Sequence, residues 1–219
     1  MRKQERYSLV FEKLGELFPQ ADTELNYNSA FELLVAVILS AQCTDKRVNM
    51  VTPALFERYP TVESLAQSSE EEIFSYIKSI SYPNAKSKNL KKMAERLHEL
   101  YNDEIPSDIE QLQTLAGVGR KTALVMAAVL YKKAVMPVDT HVHRVSARIG
   151  LTSAAKNVLD TEKQLLANLK GVDDLALMHH RLILLGRYIC KARRPMCENC
   201  SLIEECKYYN ANIKKKNNK

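Results

Sequence analysis

The sequence predicts an all-α protein, and three observations favour that class. Apolar residues recur with helical spacing along most of the 219 residues, and no segment alternates with period two for long enough to indicate a strand. Glycine (6) and proline (7) are few, which favours long helices over turn-rich sheet. Hydrophobic residues make up 46% and charged residues 26%, the balance of an ordinary globular protein with ample core.

The first half of the chain holds five predicted helices. Segment 6–18 places Leu14 and Phe18 on one side. Segment 28–41 is apolar on every side over 33–39, a run too short to span a bilayer, so it is predicted to be a buried helix. The other three segments show an amphipathic helical period; they are 47–58, 69–77 and 84–101.

The second half holds five more predicted helices. Ser107-Asp-Ile-Glu110 matches a capping box, so a helix is expected to begin there and to end near Leu115. Pro106 and Pro137 interrupt the pattern, and residues 133–137 form a plausible domain boundary. The five helices are expected at 108–115, 120–131, 142–149, 156–169 and 173–187.

The basic charge is concentrated at the C-terminal end. The net charge is +6, and residues 186–219 hold nine Lys or Arg and three acids, so the remainder is neutral. A neutral body with one basic end fits a surface that follows phosphates. The run Lys214–Lys216 can also be only a solubilising tail. The N-terminus lacks the pattern of a targeting segment, so we expect a cytoplasmic protein with no membrane attachment.

A glycine hairpin is predicted between the helices at 108–115 and 120–131. Gly117 and Gly119 flank Val118, which is expected to point into the helix pair, while the glycines let a ligand approach the backbone. The amides that open the next helix suit a phosphate. This pattern resembles the helix-hairpin-helix motif, which grips the DNA backbone without reading sequence. The alternative is an αα-turn with glycine caps.

Lys121 follows the hairpin and allows two interpretations. It can contact phosphate, as a lysine does in many hairpins that only bind DNA. With Gly119 as N-cap, Lys121 sits in the first helical turn, where the helix dipole disfavours an ammonium. A lysine that releases its proton more easily is a better nucleophile, so the position permits catalysis.

The stretch Val138-Asp139-Thr140-His141 offers a second candidate site. Asp139 precedes a helical pattern, so it can act as an N-cap. It can also be an anion beside a reacting sugar, where it stabilises developing positive charge or moves a proton. His141 is expected to be a hydrogen-bonding residue rather than a metal ligand, and it is a pocket candidate.

Four of the five cysteines lie within seventeen residues. Clustered thiols in a reducing compartment indicate a metal site rather than disulfides. Zinc and iron–sulfur clusters both accept four cysteines, and composition does not separate them, although this spacing is not that of the common zinc ribbons. The candidate ligands are Cys190, Cys197, Cys200 and Cys206. Lys191, Arg193 and Arg194 lie in the first loop of this site and can balance its charge or face DNA.

Four motifs together resemble the endonuclease III family from about Tyr7 to Cys206. They are Leu39-Ser-Ala-Gln42-Cys-Thr-Asp45, Leu115-Ala-Gly-Val-Gly-Arg-Lys121 with Val138-Asp139-Thr-His141, His179-His180-x-Leu-Ile-x-x-Gly-Arg187, and the four-cysteine loop 190–206. The resemblance implies two helical lobes. One is a six-helix barrel over 25–134 with the hairpin at about 107–131. The other joins 1–24 to 135–219 and holds one structural [4Fe–4S] cluster.

The resemblance also implies a bifunctional enzyme of base-excision DNA repair. Lys121 would be the nucleophile and Asp139 its acidic partner in a glycosylase and abasic-site lyase that removes oxidised or ring-saturated pyrimidines. The partner would be double-stranded DNA with damaged bases or abasic sites, bound by a monomer. Gln42 would fill the gap left by the flipped base, and Tyr82 aligns with a second wedge that is leucine in some relatives. The remaining implied DNA or pocket residues are Gly117, Gly119, Arg120, Lys191, Arg193, Arg194, Asp45 and His141.

Two alternatives remain, a sister enzyme and a protein of another class. A monofunctional adenine glycosylase shares the fold and cluster, but that family usually has no lysine at position 121 and uses a glutamate from the helix that holds Gln42. A non-catalytic iron–sulfur DNA-binding module would need the hairpin but not Asp139. Lys121, and Gln42 and Asp45 in place of that glutamate, count against the adenine glycosylase, and the pairing of Lys121 with Asp139 counts against the binding module.

Overall fold

The computed structural model describes residues 1–169 and 174–212. This part of the chain is helical and contains no strand, which confirms the predicted class. Its twelve α-helices are α1 Lys3–Leu17, α2 Ala30–Ser40, α3 Asp45–Arg58, α4 Val62–Ala66, α5 Glu70–Ile77, α6 Pro83–Tyr101, α7 Ile109–Gln113, α8 Arg120–Tyr131, α9 Thr140–Ile149, α10 Val158–Asn168, α11 Leu175–Leu184 and α12 Lys207–Asn212.

The predicted segments correspond to ten of these helices, with shifted ends. The short helices α4 and α12 were not predicted, because five or six residues are too few to establish a helical period. The expected start at Asp173 and the run Lys214–Lys216 lie outside the described residues. After α11 the chain continues as a π-helical turn, Leu185–Ile189, and a 3₁₀ turn, Cys197–Asn199, leads into the end of the cysteine segment.

The cap of α7 corrects one prediction. Asp108, rather than Ser107, is the N-cap, and its carboxylate accepts the Gln111 amide at 2.9 Å. A carboxylate at this position satisfies an amide and interacts favourably with the positive end of the helix dipole. The predicted capping box with Glu110 is therefore wrong by one residue.

The chain divides into two compact units. The central unit is Glu24–Tyr131, and the terminal unit combines Met1–Thr23 with Lys132–Lys219. The central unit has its own core, in which α2 is buried from Phe31 to Leu39 as its uninterrupted apolar run predicts. Helix α6 contacts α2, α4 and α5 in that unit.

The terminal unit has a separate core, to which α1 contributes Tyr7, Val10 and Leu14. Two basic side chains join α1 to the cysteine segment. Arg6 donates to the Glu205 carbonyl at 2.6 Å, and Lys13 pairs with the Glu205 carboxylate at 3.0 Å. In the described ranges, no helix has both the length and the apolarity needed to cross a membrane.

Candidate functional site

The glycine hairpin forms as the sequence predicts. Val118 is buried, whereas Gly117 and Gly119 on either side of it are exposed. Gly117 has a φ of +80°, and a Cβ there would stand 3.1 Å from the Asn89 Cβ and 3.2 Å from the Ile38 Cγ2. Both the left-handed backbone and the close contacts favour glycine at this position. The hairpin is thus packed on α2 and α6 while its tip remains open.

Helix α8 begins directly after the hairpin. The Gly119 carbonyl accepts the Ala123 amide at 3.0 Å, which places Gly119 at the N-cap position that the sequence predicts. Arg120 and Lys121 occupy the first turn, and both residues are exposed. The start of α8 therefore presents two cations and a helix N-terminus to solvent, an arrangement suited to a phosphate backbone.

Asp139 acts as the N-cap of α9. Its Oδ1 accepts the Val142 amide at 2.8 Å, and the residue is half-buried. The structural role considered from the sequence is therefore present. An N-cap carboxylate is held in one orientation by the helix it caps, so the same bond fixes where the negative charge lies.

His141, in the first turn of α9, has hydrogen-bonding neighbours in Arg144 and the Gly186 backbone. Arg144 lies with its Nη2 3.3 Å from the His141 Nδ1 and 2.9 Å from the Gly186 carbonyl. Burial lowers the pKa of His141, so the neutral imidazole is favoured. His141 is a hydrogen-bonding residue of the terminal unit, as expected. Arg144 was not anticipated, although its spacing of three from His141 places both on one helix face.

The two wedge candidates, Gln42 and Tyr82, share an unusual backbone conformation. Their φ angles are 54° and 58°, in the left-handed region that non-glycine residues seldom adopt. Both residues are exposed, and Tyr82 exposes 64% of its surface. Asp45, the remaining pocket candidate, is half-buried in the first turn of α3 behind the N-cap Thr44.

All four predicted metal ligands line one cavity. Its other walls include Ile149, Leu185, Pro195 and Ile203. Among the described residues, no group of three or more His, Cys, Asp or Glu side chains is arranged to hold a metal ion. The thiols therefore surround an apolar space instead of meeting at one point. The lining set is Cys190, Cys197, Cys200 and Cys206.

Burial and backbone amides act in opposite directions on these thiols. Burial raises the pKa of the Cys200 thiol to about 11, and burial also raises the pKa of Cys197 and Cys206. The backbone amides of Leu202 and Tyr209 act in the opposite direction on the pKa values of Cys200 and Cys206, because they donate to sulfur. Buried thiols that already receive amide donors need only a positive partner to ionise, and a metal supplies it.

Arg148, a residue the sequence analysis did not single out, holds the first part of the cysteine loop. Its guanidinium donates to the Lys191 carbonyl at 2.7 Å and the Ala192 carbonyl at 3.0 Å, and it lies 3.5 Å from the Cys190 Sγ. These bonds fix the loop backbone. The basic side chains that the sequence assigned to this loop are exposed; they belong to Lys191, Arg193 and Arg194.

Comparison with known proteins decides the family. Residues 35–170 match the model of the HhH-GPD superfamily base excision DNA repair proteins. Endonuclease III of Bacillus subtilis is 44% identical over 196 residues, which are 90% of this chain and 89% of the relative. The chain belongs to the endonuclease III family. As a member it is a DNA glycosylase and lyase of base-excision repair, and the adenine-type and non-catalytic alternatives are not favoured.

Solved endonuclease III structures match this family member over nearly its full length. A non-covalent endonuclease III–DNA complex matches with a TM-score of 0.91 and 39% identity, covering 100% of both chains. A trapped covalent endonuclease III–DNA intermediate, an estranged-adenine complex, matches with a TM-score of 0.89 and 40% identity, covering 96% of this chain and 98% of that one. The all-helical endonuclease III fold predicted from the motifs is confirmed.

Proposed function

We propose that this endonuclease III homologue removes oxidised or ring-saturated pyrimidines from duplex DNA and cleaves the abasic site through a Schiff base on Lys121. The observation that carries the proposal is the placement of Lys121, exposed in the first turn of α8 directly after the hairpin. An endonuclease III 40% identical to this chain was trapped as a covalent intermediate with DNA, which supports a nucleophilic mechanism.

The reaction follows from an amine nucleophile. The unprotonated Lys121 Nζ attacks the sugar C1′, and the bond to the base breaks with its electron pair leaving on the base. The attacking nitrogen then loses a proton, the C1′–O4′ bond breaks as O4′ takes up a proton, and an iminium links Lys121 to C1′. Loss of a proton from C2′ then expels the 3′ phosphate by β-elimination, and water hydrolyses the imine to regenerate the amine.

Asp139 supplies the anion in this proposal. Its carboxylate, held by the Val142 amide, offers negative charge to the positive charge that develops on the sugar as the base departs. The same carboxylate can carry protons between steps. The capping bond and the catalytic role are compatible, because a carboxylate oxygen that accepts one amide retains further lone pairs.

DNA binding in the proposal rests on three groups of residues. The hairpin glycines, Gly117 and Gly119, and the adjacent Arg120 receive the phosphate backbone. Gln42 and Tyr82 enter the duplex where the damaged nucleotide leaves it, because a flipped base leaves a gap whose neighbours need a stacking partner. The exposed loop cations add phosphate contacts; they are Lys191, Arg193 and Arg194. Asp45 and His141 are proposed as pocket residues.

The cofactor in this proposal is one structural [4Fe–4S] cluster. Cys190, Cys197, Cys200 and Cys206 would hold it, since all four line one apolar cavity and the sulfurs of Cys200 and Cys206 receive amide donors. When bound, the cluster supplies thiolate–iron bonds that hold loop 190–206. We propose that the enzyme acts as a monomer at the nucleoid, in the cytoplasm, where its DNA substrate and reduced thiols are found.

A panel of oligonucleotide duplexes tests the proposed function. We expect base release and strand cleavage with thymine glycol or dihydrouracil, and cleavage alone with an abasic site. The cleaved 3′ end should carry an unsaturated aldehyde, the product of β-elimination. Release of adenine opposite 8-oxoguanine without strand cleavage would contradict the proposal and support the monofunctional alternative.

A further inference from the structure

Lys86 is a buried lysine on the apolar face of α6. It exposes only 6% of its surface and follows the spacing of the core residues Leu90, Met93 and Leu97. Burying an ammonium is costly unless polar groups surround it. Its position in the first turn of α6 adds to the cost, because the helix dipole disfavours a cation there. The groups that contact the Lys86 ammonium must therefore offset the cost of burying it.

The Lys86 ammonium binds the end of α2. Its Nζ donates to the Leu39 carbonyl at 2.8 Å and to the Ala41 carbonyl at 2.7 Å. The Ala41 carbonyl belongs to the peptide bond that leads directly into Gln42. Gln42 has a φ of 54°, so its left-handed conformation depends on how that peptide is oriented. The Lys86 side chain therefore fixes the peptide on which the direction of Gln42 depends.

The backbone of Lys86 binds the second wedge candidate. Its amide donates to the Tyr82 carbonyl at 3.1 Å. Tyr82 has φ 58° and ψ 49°, in the left-handed region. It precedes Pro83, and a proline favours extended backbone in the residue before it. One residue thus contacts the peptide before Gln42 through its side chain and the carbonyl of Tyr82 through its main chain.

We propose that Lys86 is a positioning residue whose side chain anchors the peptide before Gln42 to the start of α6, next to Tyr82, and so keeps both side chains in the conformations needed to enter the DNA duplex. The inference rests on the proposed function of these two side chains. Lys86 does not touch the reacting atoms in this account. It acts through the two strained residues, and its loss leaves the chemistry of Lys121 in place while slowing the opening of the duplex.

A purely structural role is the competing explanation. The same two bonds also satisfy carbonyls at the C-terminal end of α2, which any helix end needs. Helix α6 provides a matched control for that effect. Lys91 donates to the carbonyl of Ala66, the last residue of α4, at 2.8 Å, and pairs with Glu95. Lys91 therefore also extends from α6 and binds the end of a neighbouring helix. Neither of these two bonds involves Gln42, Tyr82 or a residue next to them.

The test compares Lys86→Met with Lys91→Met in the full-length protein. Duplex opening is measured by the fluorescence of 2-aminopurine placed beside a dihydrouracil, and covalent chemistry by borohydride trapping on an abasic duplex at saturating enzyme. We expect Lys86→Met to slow opening about tenfold or more, since small misplacements away from the chemistry are amplified in rate. Trapping at saturation should be retained, and Lys91→Met should open DNA at the wild-type rate.

A double-mutant cycle separates positioning from stability. If Lys86 acts through Gln42, Lys86→Met should have little further effect on opening in a Gln42→Ala background. Full additivity with both Gln42→Ala and Tyr82→Ala would overturn the proposal, as would equal slowing by Lys91→Met. If Lys86→Met does not fold, the cycle is repeated with Lys86→Gln, whose side-chain amide nitrogen is still a hydrogen-bond donor. If neither variant folds, Lys86 has a structural role only and the proposal is wrong.

Failure of the proposed function gives a different result. If Gln42→Ala and Tyr82→Ala open DNA at the wild-type rate, neither side chain is a wedge, and the premise fails whatever Lys86 does. If they slow opening and Lys86→Met does not, the wedge stands and the positioning role of Lys86 is wrong.

Discussion

At the scale of single residues, the two hairpin glycines have different reasons to be glycine. From the sequence they are equivalent, since each flanks Val118. In the structure, Gly117 has a positive φ and close neighbours on α2 and α6, whereas a Cβ at Gly119 would meet no heavy atom within 4 Å. That difference could not be predicted, because the neighbours of Gly117 come from residues far away in the chain.

Alanine substitutions separate the two roles. Gly117→Ala should lower the free energy of unfolding by about 2 kcal/mol or more, from the left-handed backbone and the crowded Cβ. Gly119→Ala should cost at most about 1 kcal/mol, the effect of a poorer N-cap. Urea denaturation measures both, and salt-dependent DNA binding should still weaken for Gly119→Ala. Equal losses of stability would show that the crowding at Gly117 has no energetic consequence.

At the scale of the element, several polar side chains of α9 and its N-cap make hydrogen bonds that hold neighbouring segments. Asp139 caps its start, Arg144 binds the Gly186 carbonyl, and Arg148 binds the cysteine loop. The sequence predicted this helix, and it allowed Asp139 to be an N-cap or an anion beside a reacting sugar. It did not predict the arginine contacts, because spacing places Arg144 and Arg148 on one face but does not identify the loop that the face meets.

Two substitutions at Asp139 separate its capping and catalytic roles. Asparagine caps a helix about as well as aspartate, so Asp139→Asn should change the free energy of unfolding by less than about 0.5 kcal/mol. Asp139→Ala should lower it by about 1 kcal/mol. Both variants should excise thymine glycol about 100-fold more slowly, because both lack the charge. A fully active Asp139→Asn would reduce Asp139 to a cap.

At the scale of the whole molecule, the helical period and the spaced motifs predicted the fold class and the candidate residues. The contacts that hold them were beyond sequence reasoning. The clearest example is Lys86, whose only signal is a lysine at a core position of the α6 pattern. The attachment of α1 through Arg6 and Lys13 to Glu205 joins residues almost two hundred positions apart, so no local pattern reveals it.

The metal content of the purified protein tests the cofactor proposal at this scale. Freshly isolated protein should be brown, with a broad absorbance band at about 400 nm and about four iron atoms per chain. Cys197→Ala should lose the colour and melt at a lower temperature, because loop 190–206 loses its anchor. Cys43→Ala, a cysteine of the central unit, is the matched control and should keep the colour. Colourless wild-type protein with bound zinc would contradict the assignment.

The central claim is that Lys121 forms a covalent bond to the damaged sugar. Borohydride trapping tests it directly, because it reduces a Schiff base to a stable amine link between protein and DNA. Wild type, Lys121→Ala and Lys91→Ala are compared on a duplex with one abasic site. We predict that wild type and Lys91→Ala are trapped and Lys121→Ala is not. If wild type binds the duplex without ever being trapped, or if Lys121→Ala is trapped as efficiently, the account of Lys121 is wrong.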